Sequence, residues 1–375
     1  ISLSIPMFMA SLDNLVVTNA LPVIRADLGA TLEELTWTVN AYTLTFASCI
    51  LMSSALADRF GRRRVFLLGI FVFTASSAWC GISDNIGTLI TARTLQGIGG
   101  SAVMPLSLAL LSTSVPERMR ATAIGIWGGV AGLGVALGPL IGGAVVEGMT
   151  WHAIFWINVP FGLLCIPLVW ITIPESRGRP EPLDFLGLAL VGIGLFGITY
   201  GIVRGNDAGW TSAEVLTGLI GGVALIVIFI WWESHAASPL LPLRLFSNRS
   251  FSMANIVGFL FFFGIFGAIF ILIQFLQVVQ GANPLEAGLM TMPWTLAPFV
   301  VSPLTGLLTS RVGTRPVIVV GMALMSIGLL WSGIILDPSV EYIHFVPPFM
   351  AAGVGMSLVF APIAAATLQG MAPED

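Results

Sequence analysis

Two charged side chains stand alone in this sequence. Asp13 is the only acid well inside an apolar run, and Arg93 is the only cation so placed. Asp13 lies nine residues before Pro22, or ~14 Å at the 1.5 Å rise of a helix. Arg93 lies eight residues past Asn85, or ~12 Å deep by the same measure. A charge at such depth in a bilayer is costly unless paired or hydrated, so both residues are functional candidates by default. An acid there can take up and release a proton. An arginine at like depth could meet the acid and form a charge pair with it. Gln96, Gly97 and Gly100 follow Arg93 at +3, +4 and +7 on one helix face. That face is polar and then small, as the wall of a cavity requires. Charge also gathers in the turn "SALADRFGRRR" (54–64), where Asp58, Arg59, Arg62, Arg63 and Arg64 surround Gly61. The sequence shows no catalytic triad, phosphate loop or metal-ligand set. Cys49, Cys80 and Cys165 lie within or at the ends of apolar runs and form no disulfide framework. Neither an enzyme nor a metal or cofactor protein is expected.

The elements that must position these residues are set by composition. Of the 375 residues, 56 % are hydrophobic and 9 % charged, and the mean hydropathy is +0.96. Apolar runs of about 20 residues, long enough to cross a bilayer as helices, follow one another almost without pause. The reading is an all-α polytopic membrane protein. It has twelve spans near 1–22, 36–57, 65–83, 88–113, 121–146, 151–173, 184–203, 213–232, 251–276, 285–309, 316–336 and 345–370. A net charge of −4 leaves no basic surface for nucleic acid. Alternate links carry twelve arginines and the opposite links only Arg25 and Arg204. This bias places the 54–64 turn and the N-terminus in the cytoplasm.

A repeat divides the chain. "LGATLEEL" (28–35) and "QGANPLEA" (280–287) align at an offset of 252, and the same offset carries "SALADRFGRRRV" onto "GLLTSRVGTRPV". Two homologous halves are expected, an N-terminal six-helix bundle at 1–173 and a second bundle at 251–375. Two extra helices and their links occupy 174–250. The second half matches only the first four of the six spans of the first, which predicts that the sequence is part of a fourteen-span protein whose last two spans are missing here.

The turn Ser54-x-Leu56-Ala57-Asp58-Arg59-x-Gly61-Arg62-Arg63 resembles the signature loop of the major facilitator superfamily, usually G-x-L-A-D-R-x-G-R-R/K, with Ser54 in place of glycine. Four further stretches are similar to motifs of its fourteen-span drug:proton antiporters. "LDNLVVTNALPVI" (12–24) resembles the first-span motif, although Leu15 replaces a threonine. "RTLQGIGGS" (93–101) resembles R-x-x-Q-G-x-G, and "GLGVALGPLIGG" (132–143) resembles the fifth-span motif G-x-x-x-G-P-x-x-G-G. "WHAIFWINVPFG" (151–162) resembles a sixth-span motif of the same group, apart from His152 and Ala153.

The resemblance implies a major facilitator fold and a proton-coupled exporter of hydrophobic or cationic drugs, antibiotics or similar small molecules. Its energy source would be the proton gradient, with no cofactor. It implies a multi-pass monomer in a bacterial plasma membrane. Asp13 and Arg93 would couple protons. Asp58, Arg59, Gly61, Arg62 and Arg63 would form a conformational latch in which the Asp58 carboxylate faces a helix N-terminus of the other half and the arginines meet nearby acids and helix C-terminal ends. Ser310 stands where the second copy would carry that aspartate, so the latch is expected on one side only. Gly134, Gly138, Pro139, Gly142 and Gly143 would form the antiporter glycine motif, a pliant helix at the interface of the halves, unless those glycines serve packing alone. Asn19, Asn40, Tyr42 and Gln96 would line the substrate cavity. An uptake symporter on the same fold, or an exporter of lipids or endogenous metabolites, remains the alternative.

Overall fold

The computed structural model describes residues 2–178, 184–236 and 239–369, and within helices it leaves out a few side chains, those of Asn19 and Pro139 among them. The described residues are helical, without a strand. In chain order the helices are α1 (Ser4–Leu28), α2 (Leu32–Phe60), α3 (Arg62–Cys80), α4 (Ile86–Ser114), α5 (Glu117–Gly148), α6 (Ala153–Trp156), α7 (Asn158–Thr172), α8 (Phe185–Ala208) and α9 (Ala213–Glu233). Then follow α10 (Arg249–Gln274), α11 (Pro284–Met290), α12 (Met292–Thr295), α13 (Ala297–Val312), α14 (Thr314–Ile334) and α15 (Val346–Gln369). Among the described residues nine helices are long and apolar enough to cross a membrane. The other three expected spans fall on α1, α5 and the run α11–α13.

Helix ends reach beyond the hydropathy edges because polar caps extend them. Thr31 accepts a hydrogen bond from the Glu34 amide at 3.3 Å, while the Glu34 carboxylate accepts from the Thr31 amide at 2.9 Å. This reciprocal cap starts α2 four residues before the apolar run. Asn283 and Glu286 repeat the device at the start of α11, at 2.8 and 3.0 Å. The offset of 252 therefore recurs in the backbone. Gly29 and Gly281 both take a left-handed conformation, with φ of 62° and 72°, as do Gly61 and Gly313, with φ of 110° and 88°. Each pair stands where only glycine turns without strain.

The repeat is not perfect. α2 is continuous, but its counterpart is split at Thr291 and Leu296, so the expected tenth span is three helices rather than one. Pro293 and Pro298 supply the reason, since each removes a backbone donor and crowds the preceding turn.

Close helix packing is built on small residues, as lipid-embedded helices require. A Cβ at Gly99 of α4 would lie 2.5 Å from the Phe73 amide nitrogen of α3. The α8–α9 hairpin closes similarly, with Gly197 2.9 Å from the Gly218 carbonyl oxygen on the same measure. That hairpin lies on α2: Trp37 and Tyr200 have ring centroids 5.9 Å apart. At one end of the hairpin Arg204 pairs with Glu33 of α2 and, at 3.1 Å, with Glu214 of α9.

Candidate functional site

The first half closes around one ion pair. Arg93 Nη1 on α4 donates to Asp13 Oδ2 on α1 at 2.6 Å. Both side chains are 1 % exposed, so the pair is shielded from water screening. The rest of the site completes a cage. Gln96 Nε2 donates to Asp13 Oδ1 at 2.9 Å, and Asn158 Nδ2 of α7 donates to the same oxygen at 2.7 Å. Arg93 Nη1 also reaches Gln96 Oε1 at 2.7 Å, and Arg93 Nε reaches the Thr38 carbonyl of α2 at 3.1 Å. The guanidinium carbon lies 4.4 Å from the centroid of the Tyr42 ring, a cation–π arrangement. Cys80 of α3 donates weakly to Gln96 Oε1, with the sulfur 3.8 Å away. Five helices thus contribute to the cage, with α4 and α7 bonding the carboxylate of α1 directly and α2 and α3 reaching Arg93 and Gln96.

The local reasons are simple. Arg93 and Gln96 are one helical turn apart, so both point the same way from α4. Asn158 is the first residue of α7, just after the break between α6 and α7 at Ile157. Its amide also donates to Ser77 Oγ at 3.0 Å.

The other expected site residues are distributed as follows. Tyr42 and Gln96, expected on the cavity wall, are instead buried in the charge cage. Each contacts Arg93, the Tyr42 ring by its face and Gln96 by its carbonyl oxygen. Asn40 is half-buried and carries no hydrogen bond among the described residues. The Asn19 side chain lies outside the described residues. Asn158, Ser77 and Cys80 were not singled out by sequence. The available signal was that Asn158 is the only amide side chain in an otherwise apolar sixth span.

The 54–64 turn is clasped, but not as expected. Asp58 Oδ1 accepts from Arg62 Nε at 2.7 Å, and its backbone carbonyl accepts from the Gly178 amide at 3.1 Å. No residue of the other half meets the Asp58 carboxylate among those described. Instead the turn closes on the segment after α7 in its own half. Arg63 Nη1 donates to the carbonyls of Trp170 and Ile173 at 3.3 and 3.0 Å, at the C-terminal end of α7. A cation there also meets the negative end of the helix dipole. The arginines do therefore meet a helix C-terminus and an acid. Glu175 accepts from the Arg63 amide at 2.9 Å and lies within 4 Å of the Arg63 and Arg64 side chains. Gly61 leaves room for that carboxylate, since a Cβ would lie 2.8 Å from it. Arg59 is exposed beside the Phe60 ring and takes no acid partner among the described residues. In the second copy, Ser310 bonds among the described residues to the Leu307 carbonyl alone, at 2.8 Å.

The glycines of α5 separate into two rows. Gly125 and Gly129 face α13 of the second half, where a Cβ would lie 2.7 Å from the Ser302 carbonyl oxygen and 3.3 Å from that of Pro298. Gly134 and Gly138 face α1 instead, at 2.8 Å from the Phe8 carbonyl oxygen and 2.6 Å from Leu15 Cβ. These two motif glycines therefore join α5 to its own half, and the row preceding them meets the other half. Gly142 and Gly143 are buried. The α5 helix runs unbroken through position 139, and the Pro139 side chain lies outside the described residues.

The sequence matches the profile of the Major Facilitator Superfamily over residues 3–375. The chain is a member of that superfamily. It is an all-α, multi-pass membrane protein, and the family is one of transporters rather than enzymes. Among its relatives is the Multidrug resistance protein Stp of Mycobacterium tuberculosis (strain CDC 1551 / Oshkosh), 36 % identical over 332 residues. That match takes in 88 % of this chain and 62 % of Stp. The Multidrug transporter protein MdtP of Bacillus subtilis (strain 168) is 34 % identical over 378 residues, 100 % of this chain and 69 % of MdtP. The chain thus spans about two thirds of each relative's length. A solved structure of the proton:xylose symporter XylE bound to 6-bromo-6-deoxy-D-glucose shares the fold, with a TM-score of 0.69. It covers 98 % of this chain and 80 % of XylE at 15 % identity.

Proposed function

We propose that this major facilitator chain belongs to a bacterial plasma-membrane exporter that exchanges protons for hydrophobic or cationic small molecules, antibiotics among them. The observation that carries this reading is the sealed Asp13–Arg93 pair, an acid and a base facing each other inside the first half. The names of Stp and MdtP support the cargo class.

The packing suggests how a proton does work. The ion pair ties α1 to α4. A proton on Asp13 removes that tie, while Arg93 keeps the Thr38 carbonyl, Gln96 Oε1 and the Tyr42 ring. α1 is locked to α5 at Gly134 and Gly138, and α5 meets the second half at Gly125 and Gly129. A change at Asp13 is thereby passed along α1 and α5 to the seam where 1–173 and 251–375 rock against each other. The 174–250 hairpin travels with the first bundle, and the protein works as a monomer with its N-terminus in the cytoplasm. No cofactor is required, because the proton gradient supplies the energy. The turn around Asp58, Arg59, Gly61, Arg62 and Arg63 steadies the cytoplasmic side of the first half during the switch, and Asn19 and Asn40 contribute to the cavity.

The test is ethidium efflux from proteoliposomes holding the full-length protein under an imposed proton gradient, with Asp13→Asn beside wild type. Gradient-driven efflux in wild type and none in the variant is the expected result. Coupled efflux in the variant would move the proton site elsewhere. No efflux in wild type would overturn the cargo assignment.

A further inference from the structure

We infer that Asn158, with Ser77 behind it, is a positioning residue for the proton exchange proposed at Asp13; the inference rests on that reading. The hydrogen-bond directions carry it. Ser77 Oγ donates its one hydrogen to the Phe155 carbonyl at 2.9 Å. It can therefore only accept from the Asn158 amide, 3.0 Å away. This fixes the amide with its nitrogen towards Asp13, 2.7 Å from Oδ1. All three groups on the carboxylate, Arg93 Nη1, Gln96 Nε2 and Asn158 Nδ2, then arrive as donors. In that arrangement the cage holds the anion, and a carboxylic O–H finds no acceptor among these three.

The three donors differ in whether they can reverse. Arg93 has no acceptor atom. Gln96 cannot turn over, because its oxygen is engaged by Arg93 Nη1 and its NH₂ group would then face the guanidinium. Asn158 can. Turned over, its carbonyl oxygen accepts from a protonated Asp13, and the Ser77 hydroxyl swings from the Phe155 carbonyl to donate to it. The Asn158–Ser77 pair is thus the one reversible wall of the cage, matching either protonation state. The titratable groups around Asp13 are Arg93 on α4, Tyr42 on α2 and Cys80 on α3, while α5 presents Gly134 and Gly138 to α1 and α7 presents Asn158.

The experiment is the pH profile of gradient-driven ethidium efflux by the full-length protein in proteoliposomes, for wild type, Asn158→Ala, Ser77→Ala and Asp13→Asn. Asn158 serves both states, but its bond to the charged carboxylate is the stronger of the two, so its loss favours the protonated acid. The pH midpoint is expected to rise by about one unit in Asn158→Ala. A smaller rise is expected in Ser77→Ala, with KM for ethidium changed less than about twofold in either. A midpoint that stays put in the folded variants overturns the inference, even if their yield falls. It does so without touching the Asp13 reading as long as Asp13→Asn is uncoupled. If Asn158→Ala fails to insert, Ser77→Ala decides alone, and an unmoved midpoint overturns the inference. Continued coupling in Asp13→Asn removes the reading beneath it, and the inference falls with it.

Discussion

Arg93 Nη1 lies 2.6 Å from Asp13 Oδ2, with neither side chain open to solvent. Breaking such a pair from one side leaves an uncompensated buried charge, at a cost of ~3–5 kcal/mol. Arg93→Gln alone is expected to lower thermal stability in detergent sharply. The double variant Asp13→Asn/Arg93→Gln should regain much of the loss, because two neutral amides need no counter-charge. If the two losses simply add, the pair is not the stabilising unit described above.

Gly138 sits against Leu15 with 2.6 Å for a Cβ, whereas the space beside Gly148 holds nothing within 4 Å. Gly138→Val should therefore force α1 from α5, at about 1–3 kcal/mol, and reduce efflux. Gly148→Ala should leave both melting temperature and efflux unchanged. Equal effects at the two positions would mean that close approach of α1 and α5 is unimportant.

Gly61 combines a φ of 110° with a Glu175 carboxylate 2.8 Å from where a Cβ would stand. Gly61→Ala is expected to destabilise the protein, through backbone strain of ~1–3 kcal/mol together with the clash. Adding Glu175→Ala should relieve the clash but not the strain, so recovery of the melting temperature should be partial. Full recovery would show that backbone strain contributes nothing there.

Arg204 of α8 pairs with Glu33 of α2. If the hairpin travels with the first bundle, joining cysteines placed by Glu33→Cys and Arg204→Cys with a reducible bifunctional thiol cross-linker should leave ethidium efflux intact. Efflux lost on cross-linking and restored by reductant would show that α2 and α8 move apart during transport.

Much of this was legible in the sequence. Asp13 and Arg93 stood out because charge is so costly in an apolar span that its few occurrences are informative. The 252-residue offset anticipated paired turns at Gly29 and Gly281 and at Gly61 and Gly313. Family membership followed from the loop around Asp58. These features are local or periodic, so each can be read along the chain.

What only the tertiary structure decided is convergence and rotation. Asn158 reaches Asp13 across 145 residues of chain, a meeting that no spacing rule encodes. The fully apolar spans around it give almost no signal for which way a helix turns about its own axis. Gln96 and Tyr42 could be placed on their helices, but that both contact the ion pair could not be read from them. The α5 glycines were visible as a row, but their division between α1 and α13 depends on where two neighbouring helices lie. For the same reason the Asp58 turn was recognisable, while its partner, the chain just beyond α7, emerged only when the helices were packed.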